Sequence, residues 1–156
     1  SLSGQGQTEF CDPDNIYCDL NNLSGEMFSM FTEDDTTDGP FPLCDGDGFP
    51  HNTSWFGFVA GSTSATIQLA LTDCDPGDCN NGTDNCWGVQ LGAYESCDWQ
   101  NEVFCDVNDC TPADAIQDAD GLYSYTRTYV LTGLNEGDDY FILMISMKYV
   151  LGQILI

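Results

Sequence analysis

General acid–base chemistry near neutral pH needs a titratable group poised there, and histidine is the side chain that supplies one unaided. His51 is the single histidine of the chain. It stands beside Asn52 at the threshold of an aromatic run, where a turn or strand-edge role outweighs catalysis. Carboxylate pairs hydrolyse glycosides when their separation is right, but 26 acidic residues place some pair at any separation. Such pairs carry no specificity here, and the expectation is a chain without catalytic residues.

Calcium chemistry fits the acidic residues better. Ca²⁺ takes clustered carboxylates and backbone oxygens from flexible turns. Asp45 and Asp47 fall in Asp45-Gly46-Asp47-Gly48, while Asp73, Asp75 and Asp78 are interleaved with Cys74, Gly77 and Cys79. These five are the candidate metal ligands and calcium the candidate cofactor. Neither cluster follows the twelve-residue loop that ends in Glu, and a solvated acidic turn is the plain alternative. Trp87 and Trp99 are the candidate sugar-stacking rings, Trp99 the better placed because it sits in a loop between Asp98 and Gln100. Asn22, Asn52 and Asn81 each open an Asn-x-Ser/Thr acceptor pattern, which an Asn- and Thr-rich chain also produces by chance.

The scaffold that must position these groups is constrained by composition. At 156 residues, 42% hydrophobic and 12% aromatic, the chain can bury a sizeable core, and one domain is expected. Residues 1–10 read as a small, polar arm or linker and residues 11–156 as the domain. The formal net charge is −24, with Arg127 and Lys148 the sole cationic Lys/Arg residues. That balance repels phosphate backbones and anionic headgroups, which excludes nucleic acid and acidic membranes as partners. Of the acids 20 are Asp, a bias expected of turns, where the short carboxylate bonds nearby backbone.

Nine cysteines in an acidic, loop-rich chain fit an oxidising compartment, and their loose, nearly His-free spacing argues against zinc. A secreted or cell-surface location follows. No leader and no apolar stretch of membrane-span length is visible, so the chain reads as a mature exported product that does not insert directly into a membrane.

Strand signals dominate the rest. Trp55 to Ala60 is an aromatic run of strand length, and Ala65 to Leu71 alternates with Ile67, Leu69 and Leu71 on one face. Gly61-Ser62-Thr63-Ser64 suits a hairpin between them. Trp87 to Tyr94 points its odd positions inward, and Tyr125–Leu131 and Asp139–Ile145 are further strands. Thr111 to Ala119, with Pro112 at a first helical position, predicts two helical turns at most. The expected fold is an all-β, antiparallel sandwich, jelly-roll-like, with long disulfide-stapled acidic loops.

The segments His51–Ala60, Leu91-Gly92-Ala93-Tyr94-Glu95-Ser96-Cys97 and Leu134–Ile145 together resemble secreted Bacteroidetes-type surface-protein modules. Those modules are similar to bacterial pre-peptidase C-terminal and jelly-roll carbohydrate-binding domains. The resemblance implies a β-sandwich serving as a non-catalytic accessory, adhesive or structural unit. In that pattern a last-strand cysteine joins the cysteine before the first core strand; here Ser146 to Ile156 holds none, which leaves Cys44 unpaired. Local closure then pairs Cys11 with Cys18, Cys79 with Cys86 and Cys105 with Cys110, and places Cys74 with Cys97 at the ends of strands taken as neighbours.

Tyr140 to Ile156 is the most apolar stretch and carries one charge, Lys148. A closing hairpin is the plain account. The sharper one is that Val150, Leu151, Ile154, Leu155 and Ile156 form an apolar edge that pairs with a neighbour, making a homo-oligomer or polymer. Two functions emerge: a structural or adhesive module, as a self-assembling surface-fibre subunit, and a calcium-supported carbohydrate-binding module that takes extracellular glycans.

Overall fold

The structure, a computed structural model, describes residues 11, 16–30, 41–44, 46–48, 53–74, 89–97, 101–107, 112–146 and 150–155. Its strands are β1 (Ile16–Tyr17), β2 (Met27–Met30), β3 (Phe41–Leu43), β4 (Gly46–Gly48), β5 (Thr53–Val59) and β6 (Ser64–Cys74), followed by β7 (Val89–Tyr94), β8 (Glu102–Asp106), β9 (Ile116–Gln117), β10 (Tyr123–Thr132), β11 (Asp139–Ser146) and β12 (Val150–Leu155). A short 3-10 turn, Leu20–Leu23, is capped by Asp19, whose carboxylate accepts the Asn21 backbone N–H at 2.9 Å.

Two five-stranded sheets carry the fold. Sheet I has the order β1-β5-β11-β7-β8 and sheet II the order β2-β12-β6-β10-β9; β3 and β4 pair separately. Pairing is antiparallel except for β1 on β5, which is parallel. The alternation in β6 puts Ile67, Leu69 and Leu71 on one face, where they meet Phe56, Phe58, Val89, Leu91, Ala93, Tyr129, Ile142 and Met144 in one cluster drawn from both sheets. Along β7 the odd positions Val89, Leu91 and Ala93 do point into that cluster.

Consecutive strands change sheet more often than they pair. The Gly61–Ser64 segment closes no hairpin: β5 pairs with β1 and β11, whereas β6 pairs with β10 and β12. The segment instead arches between the sheets beside the 133–138 connection of β10 to β11. Backbone bonds tie the two arches together, Ala60 N–H to Asp138 O, Gly137 N–H to Ala60 O and Leu134 N–H to Thr63 O. Gly133 and Gly137, both at positive φ, let that second arch turn sharply.

The expected C-terminal hairpin is likewise absent, because β11 lies in sheet I and β12 in sheet II. β12 is not an edge. Leu151, Gly152 and Gln153 pair with Thr72, Leu71 and Ala70 of β6 on one side and with Ser29, Phe28 and Met27 of β2 on the other. The strand-addition role assigned to Val150, Leu151, Ile154 and Leu155 is therefore corrected: β2 occupies the far side of 150–153, Gly25 and Glu26 bond the Ile154 backbone beyond it, and Ile154 lies in the core. Ile156 lies outside the described residues. The expected helix over 111–119 is also not formed where it is described. Ala115 N–H closes a turn on Pro112 O, and Ile116–Gln117 pairs with β10 instead.

Candidate functional site

Among the described residues, the densest set of polar and sulfur-bearing groups lies on the outer face of sheet I. Strands β5 and β11 read as continuous apolar runs rather than alternating ones, the pattern of strands covered on both faces. Their inward residues enter the main core, and their outward residues Trp55, Phe141, Leu143 and Ile145 join Leu43 and Tyr94 in a second buried cluster. Ile16, Cys11, Cys44, Cys97 and Cys105 pack over it. Gly92 is what lets this cover close: a β-carbon there would stand 2.8 Å from Leu43 Cδ1 and 3.0 Å from the Tyr94 ring. Trp55 and Tyr94 meet as tilted rings with centroids 6.1 Å apart.

Two disulfides fasten the cover, Cys11–Cys97 and Cys44–Cys105, across separations of 86 and 61 residues. The local pairing scheme is corrected accordingly. Cys11 bonds Cys97 rather than Cys18, because Cys11 and Cys97 both pack against the outer cluster of sheet I while Cys18 stands exposed and free. Cys44 is not the odd cysteine; it takes the sulfur of Cys105 that Cys110 was to take. Cys74 does not pair with Cys97, which packs on the outer cluster and bonds Cys11; it lies in the main core as a free, buried thiol. Cys79, Cys86 and Cys110 lie outside the described residues.

Glu102 organises the polar edge of this cluster. Its Oε2 accepts the Cys44 backbone N–H at 3.0 Å and the Tyr94 hydroxyl at 3.3 Å. Burial, and then the neighbouring Glu102 charge, push the Tyr94 hydroxyl up from its ordinary value, so it stays a donor through the neutral range. Cys44, Glu102 and Cys105 sit close enough to imitate a three-ligand metal group. Both sulfurs are consumed in their mutual disulfide, which leaves one carboxylate that already accepts two hydrogen bonds. The chemistry of this corner is structural.

Two of the five calcium candidates fall within the described residues. Asp47 lies in β4 opposite Pro42, and Asp73 sits at the end of β6 with φ +59°. Asp45, Asp75 and Asp78 lie outside the described residues, as do His51, Trp87 and Trp99. Beyond Asp73, the Cys74 thiol is buried beside Tyr125. Burial pushes it up to about 11, against a smaller lowering by the Tyr125 hydroxyl. A thiol held protonated and covered is inert at neutral pH.

Sequence reasoning missed Leu43, Gly92, Tyr94 and Glu102 as a unit. The signal was present in Trp55–Val59 and Tyr140–Ile145, whose unbroken apolar character calls for a second layer over sheet I. Comparison of the chain with protein-family models and with curated proteins finds no match.

Proposed function

We propose that the chain is a non-catalytic extracellular structural or adhesive module, built to assemble into a surface structure. The observation that carries this reading is the sealed outer face of sheet I. The sulfur, carboxylate and phenol groups gathered there are spent on two long-range disulfides and on hydrogen bonds that hold the cover down. Such stapling suits an oxidising compartment. Among the described residues no helix is long and apolar enough to cross a membrane.

The two sheets read as a jelly-roll-like sandwich, a reading supported by the paired arches at 60–63 and 133–138 that pass together from sheet to sheet. Electron microscopy of the purified chain over a range of concentrations and salt tests the function. Polymers or ordered assemblies support it. A chain that stays single and gives a clear glycan-array signal overturns it in favour of the carbohydrate-binding alternative.

A further inference from the structure

Three stretches of the chain fit the Asn-x-Ser/Thr acceptor pattern, and the structural-module reading leaves them unused. The fold separates two of them. In Asn52-Thr53-Ser54 the third residue, whose hydroxyl completes the pattern, is Ser54 of β5, buried at 2% exposure. Asn52 itself and all of 81–83 lie outside the described residues. In Asn22-Leu23-Ser24 the acceptor and the hydroxyl residue both stand exposed, Asn22 within the 3-10 turn and Ser24 as its C-cap. The residue between them is not proline, which would bar recognition.

A large solvated substituent also needs open surroundings and a backbone that does not depend on the modified side chain. Asn21, Ser24, Gly25, Glu26 and Met27 are exposed around the acceptor. The turn is held by other groups: Asn22 N–H donates to Asp19 O, Ser24 N–H to Asn21 O and Gly25 N–H to Ile154 O, at 3.0, 3.1 and 2.7 Å. Gln153 Nε2 adds a bond to Gly25 O at 3.2 Å. A substituent on the Asn22 side-chain amide breaks none of these. The adjacent Asn21 is placed differently, because its amide donates to Asp19 Oδ1 at 2.8 Å and Asn21-Asn22-Leu23 does not fit the pattern.

We infer that Asn22 is an Asn-linked glycan acceptor, carrying an oligosaccharide on the turn that leads from β1, at the margin of sheet I, to β2, at the margin of sheet II. The inference rests on the extracellular reading, since this modification belongs to exported chains. The donor is an oligosaccharide joined through its C1 to a polyprenyl pyrophosphate, brought by a transferase. Asn22 Nδ2 forms a bond to that C1 and the C1–O bond to the pyrophosphate breaks. The lipid pyrophosphate leaves with the bonding pair, and the amide gives up one proton.

The test is mass-spectrometric peptide mapping, without reduction, of the chain purified from its source. The peptide that holds Asn21 and Asn22 should carry sugar mass, and fragmentation that preserves side-chain groups should place it on Asn22 with Asn21 bare. A bare peptide, or sugar on Asn21 or Ser24 instead, overturns the assignment.

Variants made in a glycosylating secretory host test how the acceptor is recognised. Asn22→Gln and Ser24→Ala should each lose that mass, while Ser24→Thr should keep it. A Ser24→Ala chain that keeps the sugar, or a wild type bare at Asn22 but modified at another acceptor, also overturns the inference. The disulfides in the same native map separate the two readings. A native chain bare at Asn22 that holds Cys11–Cys97 and Cys44–Cys105 removes the acceptor and leaves the extracellular reading standing; a bare chain with those four cysteines reduced removes both.

Discussion

The two sheets of this protein present opposite outer faces. On sheet I the outer face is apolar, aromatic and roofed by chain held down by two disulfides. On sheet II it is a lattice of Thr, Gln and Ala side chains with Met27 and Val130 standing well exposed. Both sheets share one core, so the contrast does not arise from how the interior is packed. It arises from what the non-inward positions carry: Trp55, Leu143 and Tyr94 on one side, Thr66, Thr126 and Thr128 on the other. The sealed face spends its chemistry on stability, and the open face keeps an uncharged surface within an acidic protein.

Breaking the roof should produce the largest effect. Cys44→Ser with Cys105→Ser releases a closure of 61 residues, which in the chain-entropy account costs about 4 kcal/mol. Urea unfolding should show that loss as a lower midpoint. Gly92→Ala tests the close approach of Leu43 without touching a disulfide. Overpacking of this kind costs about 1–3 kcal/mol, and a midpoint equal to the wild type would mean that Leu43 is not seated as described.

Tyr94→Phe removes one of the two donors to Glu102 and should cost about 1 kcal/mol, readable in the same unfolding experiment. Buried acidic hydroxyl and thiol groups in both clusters set a pH limit. Tyr94 and Tyr125 are both raised above the ordinary 10.0 by burial first, and Cys74 is raised from 9.0 to about 11. A group raised on folding contributes its full stability below its unfolded value and loses it as pH rises toward the folded one. Stability should therefore hold through neutral pH and begin to fall above pH 9, where unfolded Cys74 ionises first. Tyr94→Phe should flatten part of the decline above pH 10.

On the open face the expected effect is close to nothing. Thr126→Ala and Thr66→Ala expose no cavity and break no hydrogen bond shown for them, and should change stability by less than about 0.5 kcal/mol. A large loss at either position would show that the sheet II face is covered and would erase the contrast. Thiol labelling sharpens the comparison at small energetic cost. In peptide maps Cys18 should react in the native protein and Cys74 only after unfolding, since one is exposed and the other buried.

Much of this was determined by the sequence alone. The cysteine content called for disulfides, two of which form between described residues, and local alternation or apolar runs located β5, β6, β7, β10 and β11 to within a few residues. These are properties of short windows, and short windows suffice to read them. Turn-forming Asp behaves as its bias implied, with Asp118 Oδ1 accepting the Asp120 and Leu122 backbone N–H groups.

Only the tertiary structure decided which strands are neighbours, and the remaining corrections follow from that single fact. A Gly-Ser-Thr-Ser segment serves a hairpin or an arch equally well until the pairing of β5 with β11 and of β6 with β10 chooses the arch. Disulfides then obey distance rather than spacing. Cys11 and Cys97, 86 residues apart, have Cα atoms 5.5 Å from each other, while Cys74 lies in the main core and Cys97 against the outer cluster of sheet I. The apolar Val150–Leu155 segment was legible as a strand, but β2 closing over its far side is a non-local event that no local pattern encodes.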